Sequence, residues 1–223
     1  MTPRDPKVKT SSYDAELRQA RSAETKQRIV EAARELFLED GYRSTTMAGI
    51  AKRARVNVDT VYELVGRKHV LLRELIEQAI SGVDHAVVAE ERAHIKAMRL
   101  STDPVEKLTI YAHAMRKTHA RLAPLFLALR DASSTESEAR DVWREINDRR
   151  AVNMRKFIRD LRHVGGLRSD LSIESAADVV WVINSSELYS LFTKERGWSP
   201  NHYERWLADT MCRLLIPKAP VNT

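Results

Sequence analysis

The 223-residue sequence has few of the residues that break helices or cross-link a chain. Seven glycines and seven prolines leave long stretches uninterrupted, which favours helices over short strands joined by turns. The single cysteine, Cys212, excludes an intramolecular disulfide framework and the cysteine pairs that ligate structural zinc. No window has the ~20 apolar residues of a membrane span, and no apolar export signal is present, so we expect a cytoplasmic protein.

The positive charge is concentrated near the start of the chain. The whole sequence has 37 Lys and Arg against 31 Asp and Glu, and residues 1–68 contain 14 of the basic and 10 of the acidic residues. Most of the surplus therefore lies in less than a third of the chain. A basic surplus favours an anionic partner, and nucleic acid and a membrane surface are both such partners.

Apolar residues recur with helical spacing and no segment alternates as a strand does, so the predicted fold class is all-α. The first strong helix ends at Gly41. Thr46 and Asn57 are good N-caps for two short helices, Met47 to about Ala54 and Val58 to about Leu64. Three helices, the last two joined by a tight turn, form a helix-turn-helix module.

Longer helices are predicted beyond Gly66. The segment from residue 68 to about 98 is amphipathic, with a possible break at residues 81–82. The helix that begins at Pro104 is expected to kink or restart at Pro124. Three more helices follow, over 137–164, 172–196 and 201–216.

The segment "TKQRIVEAARELFLEDGYRSTTMAGIAKRARVNVDTVYELVGRKHVLL" resembles the N-terminal DNA-binding domain of the TetR family of bacterial transcriptional regulators. The similarity includes Gly41-Tyr42, Thr45-Thr46, Ile50-Ala51, Thr60-Val61-Tyr62 and Leu71-Leu72 in fixed register. One departure lies in the turn between the two short helices, where the family usually has glycine and this chain has Arg55. We therefore expect Arg55 to be strained at a positive φ.

Composition, helical spacing and the resemblance together predict four parts. These are a flexible basic arm at 1–22, a three-helix helix-turn-helix DNA-binding domain at 23–67, a larger C-terminal helical ligand-binding and dimerisation domain at 68–216, and a flexible tail at 217–223. An ordinary solvated tail is the alternative for the N-terminal arm.

Candidate DNA contacts follow from the resemblance and from DNA chemistry. Cations, hydroxyls and helix N-termini bind phosphates, whereas an acid in the recognition helix can accept from the cytosine amino group in the major groove. Asp59 has an alternative role in stabilising the helix dipole, and Glu63 has one in pairing with Arg67. The candidates are Arg43, Thr45, Thr46, Arg55, Asn57, Val58, Asp59, Thr60, Tyr62, Glu63 and Lys68.

The helix over 172–196 is apolar on nearly every side, so it needs two partners. With the helix over 137–164 it would form a four-helix bundle across a two-fold axis, which is how TetR-like proteins form homodimers. Burial inside a monomer is the alternative. The candidate interface residues are Ile146, Arg150, Asn153, Phe157, Leu161, Ala177, Val180 and Leu188.

The resemblance also implies an apolar pocket with a few polar groups that binds a small-molecule effector. Core packing is the alternative for each candidate, and His119 on its apolar stripe is a typical core histidine. The candidates are Tyr111, Met115, His119, Phe126, Trp143, Trp181 and Asn184.

No catalytic motif, phosphate-binding glycine loop or metal-ligand cluster is recognisable, so we expect neither an enzyme nor a cofactor. The leading hypothesis is a homodimeric repressor that a small-molecule ligand releases from a palindromic DNA operator. An activator or a ligand-independent DNA-binding regulator is the alternative. A module that binds a membrane surface or another protein would need a basic, apolar-faced helix, whereas the basic residues here surround a helix-turn-helix.

Overall fold

The computed structural model describes residues 7–217, and every regular element among them is helical, which confirms the all-α prediction. The chain divides into two compact units between Leu75 and Ile76. Within the described part of the chain, no helix is both long and apolar enough to span a membrane.

The first unit is built on a small apolar core. Its helices are α1 (Lys7–Glu39), α2 (Gly41–Ser44), α3 (Met47–Ala54), α4 (Val58–Val65) and the first half of α5 (Lys68–Ser81). Ile29, Ile50, Val61 and Leu71 are fully buried in the core. Because α3 and α4 have only eight residues each, they depend on packing against α1 and against each other for their stability.

Helix α1 begins earlier than the sequence pattern indicated. Residues 7–22 belong to the segment expected to be a flexible arm, yet they are helical, and residues 1–6 lie outside the described residues. This segment contains neither glycine nor proline, so the helix continues without a break. Side chains 15–22 are exposed. At the other end of the chain, residues 218–223 of the expected tail also lie outside the described residues.

Both short helices start at the predicted caps. The Thr46 hydroxyl accepts from the Gly49 amide at 3.0 Å, and the Asn57 side chain accepts from the Asp59 amide at 3.0 Å. Between the two helices, Arg55 has φ 56° and ψ 49°, which is the left-handed region expected for a position that usually holds glycine. The tight turn therefore forms without a glycine.

The second unit is a bundle of longer helices. They are the remainder of α5, α6 (Ala93–Leu100), α7 (Pro104–Ser133), α8 (Ser137–His163), α9 (Ile173–Ile183), α10 (Ser186–Ser190) and α11 (Pro200–Leu215). Helix α7 packs against α6, α8, α10 and α11, and α8 also packs against α9. Helix α7 is thus the central element, and it runs without interruption past Pro124, where the sequence predicted a kink or a restart.

The predicted helix over 172–196 is broken at Asn184. Helix α9 ends there, the Ser185 hydroxyl caps α10 by accepting from the Leu188 amide at 3.2 Å, and a wider helical turn follows over Leu191–Glu195. Asn184 has φ −100° and ψ 59°, which is outside the helical region. Asn and Ser are residues whose side chains compete for backbone hydrogen bonds, which explains the break.

The stripe predicted to meet a second subunit is largely buried inside the second unit. Ile146, Phe157, Leu161, Ala177 and Val180 are at most 7% exposed in the single chain. The expectation that they form a free apolar face is therefore wrong, because helical period identifies an apolar side without identifying what covers it.

The other three predicted interface residues also differ from that expectation. Arg150 and Asn153 line a cavity, and Leu188 is half-buried. The exposed apolar residues of α8 and α9 are instead Val152 and Val182, at 44% and 53% exposure.

The left-handed turn gives a prediction for Arg55. Because a side chain at this φ is strained, we expect Arg55→Gly to be more stable than Arg55→Ala by about 1 kcal/mol. In an ordinary helix interior the order is reversed by a similar amount. Urea unfolding of both variants measures the difference. As a helix control, Arg34→Gly should be less stable than Arg34→Ala, and the same order at residue 55 would contradict the expected strain.

Candidate functional site

Helix α4 presents a polar stripe on the side opposite its buried residues. Val61 and Val65 are buried, whereas Asp59, Tyr62 and Glu63 are exposed at spacing i, i+3, i+4. Tyr62 is 49% exposed, which is high for an aromatic side chain next to an apolar core. This outward stripe has the residue types that contact phosphates and base edges in a DNA groove.

Other candidate DNA contacts surround this stripe on the first unit. Arg43, Thr46, Arg55 and Asn57 are exposed, and Val58 and Thr60 are half-buried on α4. The hydroxyl of Thr46 and the amide of Asn57 cap α3 and α4, so both N-termini lie at an accessible surface. Helix N-termini carry free amide donors and partial positive charge, which suits phosphate binding.

Two candidate phosphate contacts have partners inside the unit. Thr45 is 2% exposed and its hydroxyl donates to the Gly41 carbonyl at 2.8 Å, so it is not available at the surface and that expectation is wrong. The Lys68 ammonium donates to the Tyr42 carbonyl at 3.1 Å and lies 4.0 Å from the centre of the Tyr42 ring. Lys68 is half-buried and so has a structural role in this arrangement.

The two acids of α4 have no ion-pair partner among the described residues. The alternative pairing of Glu63 with Arg67 does not form in the described structure. Asp59 follows directly on the helix start, where an acid also stabilises the helix dipole. Both carboxylates thus remain exposed on the outward stripe.

The second unit contains a cavity of about 130 Å³ between its helices. Five of the seven predicted ligand-binding residues lie on its wall: Tyr111, Met115, His119, Phe126 and Asn184. Four of them lie on α7 and the fifth, Asn184, lies at the break after α9, more than fifty residues later in the sequence. The wall is mostly apolar, with Ile95, Met98, Leu122, Ile146 and Phe157 among its further members.

The other two predicted ligand-binding residues are not on the wall. Trp143 packs against Phe126 with 4.5 Å between ring centres, and the Trp181 ring lies 4.6 Å from the Arg150 guanidinium. Each tryptophan therefore supports a wall residue from behind. Helical spacing placed both residues on the correct helices, but it does not resolve which of them reaches the cavity.

A hydrogen-bonded network lies at one end of the cavity. The Asn184 amide nitrogen donates to the Tyr111 hydroxyl at 2.6 Å, and its oxygen accepts from His119 Nε2 at 2.8 Å. His119 Nδ1 then accepts from the Ser186 hydroxyl at 3.3 Å, and the Tyr111 hydroxyl donates to the Met154 sulfur at 3.2 Å. The network satisfies polar groups that burial would otherwise leave without partners.

Burial governs the ionisation of this network. It lowers the pKa of His119 to about 4, an effect only partly opposed by the hydrogen bond that His119 donates to Asn184, and it raises the pKa of Tyr111. Both side chains are therefore neutral near pH 7. A neutral imidazole with Nε2 as donor and Nδ1 as acceptor matches its two hydrogen bonds.

Arg150 brings a positive charge to the cavity. Its Nη2 donates to the carbonyls of Trp181 and Asn184, at the end of α9, and burial lowers the pKa of the guanidinium. Among the described residues, no carboxylate forms an ion pair with Arg150, and its Nε and Nη1 have no hydrogen-bond acceptor. The sequence placed Arg150 at a subunit interface, because an arginine in an apolar stripe gives no signal of the cavity behind it.

The remaining titratable residues of the wall are also basic. They are Arg92, His94 and Arg149, and the wall contains neither Asp nor Glu. Arg149 is paired with Glu77, and Arg92 donates to the Val87 carbonyl at 2.9 Å. Burial lowers the pKa of His94 to about 4. The cavity is therefore apolar over most of its surface and positive where it is charged.

The buried imidazole predicts a pH-dependent stability. Since the folded pKa of His119 is about 4 and the unfolded value is 6.5, the unfolded chain binds more protons between these values. Stability is full above pH 6.5 and falls towards pH 4, by up to about 3 kcal/mol from this residue. We expect His119→Gln to have a shallower pH dependence of the free energy of unfolding in that window.

Urea unfolding at half-unit pH steps measures this dependence. Leu122→Val is the control, because it perturbs the same cavity without removing a titrating group and should keep the wild-type slope. Identical slopes for His119→Gln and the wild type would show that His119 is already protonated in the folded protein.

Comparison with known proteins gives a family match within the first unit and a fold match over most of the chain. A family model described as bacterial regulatory proteins of the tetR family matches residues 29–75. No curated protein sequence matches the chain.

Solved structures match over most of the chain. NalD of Pseudomonas aeruginosa, the secondary repressor of the MexAB-OprM multidrug efflux pump, is 21% identical, with 90% of this chain and 100% of that chain covered and a TM-score of 0.70. The fatty acid degradation regulator FadR of Bacillus halodurans is 19% identical, with 84% and 94% covered and a TM-score of 0.68.

A third similar structure is a transcriptional regulator from Saccharomonospora viridis in complex with choline. It is 20% identical, with 88% of this chain and 100% of that chain covered and a TM-score of 0.67. At these identities the likeness is one of fold, and the family is given by the match at the helix-turn-helix. Residues 29–75 thus match the TetR family of bacterial transcriptional regulators, and the chain shares its fold with the similar regulators described above.

Proposed function

We propose that the protein is a cytoplasmic homodimeric repressor that binds a palindromic operator through α4 and leaves it when a small molecule occupies the cavity of the second unit. The observation that carries the DNA-binding role is the outward stripe of Asp59, Tyr62 and Glu63 on the second helix of the helix-turn-helix. No function in catalysis is proposed.

Two kinds of residue are proposed to supply the affinity for DNA and the preference for its sequence. The Tyr62 hydroxyl and the Arg43 guanidinium are suited to phosphates, which give affinity without sequence preference. Glu63 is repelled by phosphates, so its place on a DNA-facing helix favours a role in base readout, where a carboxylate accepts from cytosine N4. Thr46 and Asn57 keep the helix N-termini in position for phosphate contacts.

The homodimer is proposed from the outer sides of α8 and α9. These helices pack against each other, and each exposes a valine at about half of its surface, Val152 on α8 and Val182 on α9. Exposed apolar residues on adjoining helices favour an isologous contact with a second copy. Two helix-turn-helix modules held about one DNA turn apart would then read the two halves of a palindrome.

Selection from random duplex DNA tests the DNA-binding role. We expect the wild type to enrich a palindrome, and Glu63→Ala to lose its preference at one base pair of each half-site, where a good contact contributes about 1–3 kcal/mol of discrimination. Tyr62→Phe should instead weaken binding to all duplexes about tenfold or more, because a hydrogen bond to a charged group contributes about 1.5–3 kcal/mol. Sequencing of the bound pool and fluorescence titrations measure the two effects.

Asp131→Ala is the matched control for Glu63→Ala. It removes the same negative charge from an exposed site in the second unit, so the selected palindrome should be unchanged. Equal losses on selected and random duplexes from both Glu63→Ala and Tyr62→Phe would overturn the division between affinity and base readout.

A charge at the proposed interface tests the homodimer. We expect Val182→Glu to shift the protein from twice the chain mass to the single-chain mass in sedimentation velocity, because burying an unpaired carboxylate opposes association. Val105→Glu is the control, since this valine is 48% exposed on α7, away from the proposed interface. A monomeric wild type, or a dimer in both variants, would contradict the proposed interface.

A further inference from the structure

The cavity combines an apolar wall with a positive charge, and although Glu187 acts on Arg150 from outside the wall, the wall itself contains neither Asp nor Glu. Arg150 lines the cavity, and only its Nη2 is engaged, by two backbone carbonyls at the end of α9. Its Nε and Nη1 have no acceptor among the described residues. A buried guanidinium without a carboxylate is costly, and an anion that completes its hydrogen bonds removes much of that cost.

Among the described residues, the buried side-chain atoms without a hydrogen-bond partner are Trp181 Nε1, the Tyr203 hydroxyl and an acceptor, Asn147 Oδ1, on the same helix as Arg150. Both Trp181 and Tyr203 lie outside the cavity wall. The charges of Arg150 and Tyr203 influence each other, and the Arg150 guanidinium lies 4.6 Å from the centre of the Trp181 ring. The donors available to a negative group in the cavity are therefore Nε and Nη1 of Arg150 itself.

No other charge in the cavity opposes an anion. The remaining charged or titratable wall residues are the neutral Tyr111 and the basic Arg92, His94, His119 and Arg149, and of the basic ones only Arg149 is paired with an acid, Glu77. A cation would have to approach these groups without any carboxylate on the wall. The positive charge of the cavity wall thus distinguishes between ligands that have the same shape but a different charge.

A larger cleft of about 430 Å³ adjoins the cavity. The two share Ala89, Ile95, Met98, Asn153 and Phe157 on their walls. The acids of the cleft are neutralised, since Glu90 pairs with Lys156 at 2.7 Å and Asp160 pairs with Lys107 at 2.7 Å. An elongated molecule therefore has room for an acid group in the cavity and for an apolar tail along the shared wall.

The 130 Å³ cavity alone is close to the size that holds one benzene molecule. This limits the part of a ligand near Arg150 to a carboxylate and a few carbons. A carboxylate suits a single guanidinium, because its two oxygens match two parallel N–H donors.

We propose that the effector is an amphiphilic carboxylate, with its acid group bound by Arg150 and its apolar chain along Met98, Ile95 and Phe157. This assignment rests on the proposed ligand-responsive function, and it names the chemical class of the ligand. Arg150 is the residue that selects for negative charge, and Asn153 lies where the cavity meets the cleft.

Matched ligands that differ only in charge test the assignment on the full chain without DNA. Straight-chain carboxylates of four to ten carbons, their amides and the corresponding amines are titrated by calorimetry. We expect at least one carboxylate to bind at least tenfold more tightly than its amide, and the protonated amine to bind more weakly than either. Failure of every carboxylate to exceed its amide overturns the assignment, and this comparison needs no variant.

The residue assignment is tested with Arg150→Gln and with Lys117→Gln, which removes a charge from an exposed site on α7. In Arg150→Gln the carboxylate should fall to the affinity of the amide, and the affinity of the amide should stay the same. Lys117→Gln should keep the full preference. If Arg150 only caps α9, Arg150→Gln lowers the affinities for the carboxylate and for the amide alike, or it unfolds the protein. The preference of the wild type for the carboxylate over the amide then needs a source other than Arg150.

Release from DNA is measured separately, on the selected palindrome. A carboxylate that binds the cavity yet leaves the DNA complex intact overturns the proposed release and leaves the ligand class standing. A protein that is released from DNA by amides and carboxylates alike keeps the proposed function and overturns the ligand class.

Discussion

The interior of the second unit depends on the hydrogen bonds of Asn184. Its amide offers a donor and an acceptor side by side, and these satisfy the buried Tyr111 hydroxyl and the buried His119 ring. Its backbone carbonyl accepts from Arg150. An apolar residue at this position would leave two buried polar side chains without partners. The side chain and carbonyl of Asn184 thus hold Tyr111, His119 and Arg150 together at the cavity wall.

The two units use charge in opposite ways. In the first unit, a small apolar core leaves Tyr62 and Glu63 on an outward stripe, where water solvates them until a partner binds. In the second unit, Arg150 is directed into the protein, where few groups neutralise it. Under the two proposals, the outer surface discriminates among large partners by position, and the cavity discriminates among small ones by the sign of their charge.

Local chemistry made much of the first unit predictable from the sequence. Thr46 and Asn57 are residues that cap helices wherever they occur, so both short helices start where predicted. The left-handed Arg55 followed from the family pattern rather than from any property of arginine. Thr45 and Thr46 have the same chemistry, and only the packing of α2 and α3 separates the buried hydroxyl from the exposed one.

The second unit was predicted less completely, because its features depend on packing between distant segments. Helical period located five wall residues of the cavity, yet it assigned Arg150 to a subunit interface and missed Arg92 and Ser186. It also joined α9 and α10 into one helix, although the run Asn-Ser-Ser at residues 184–186 contained a local signal for the break.

That break has a mechanical consequence. Asn184 is both the residue at which α9 ends and a part of the cavity wall, so the helix and the cavity meet at a single residue. A molecule that replaces the hydrogen bonds of the Asn184 amide therefore acts on the residue at which α9 ends.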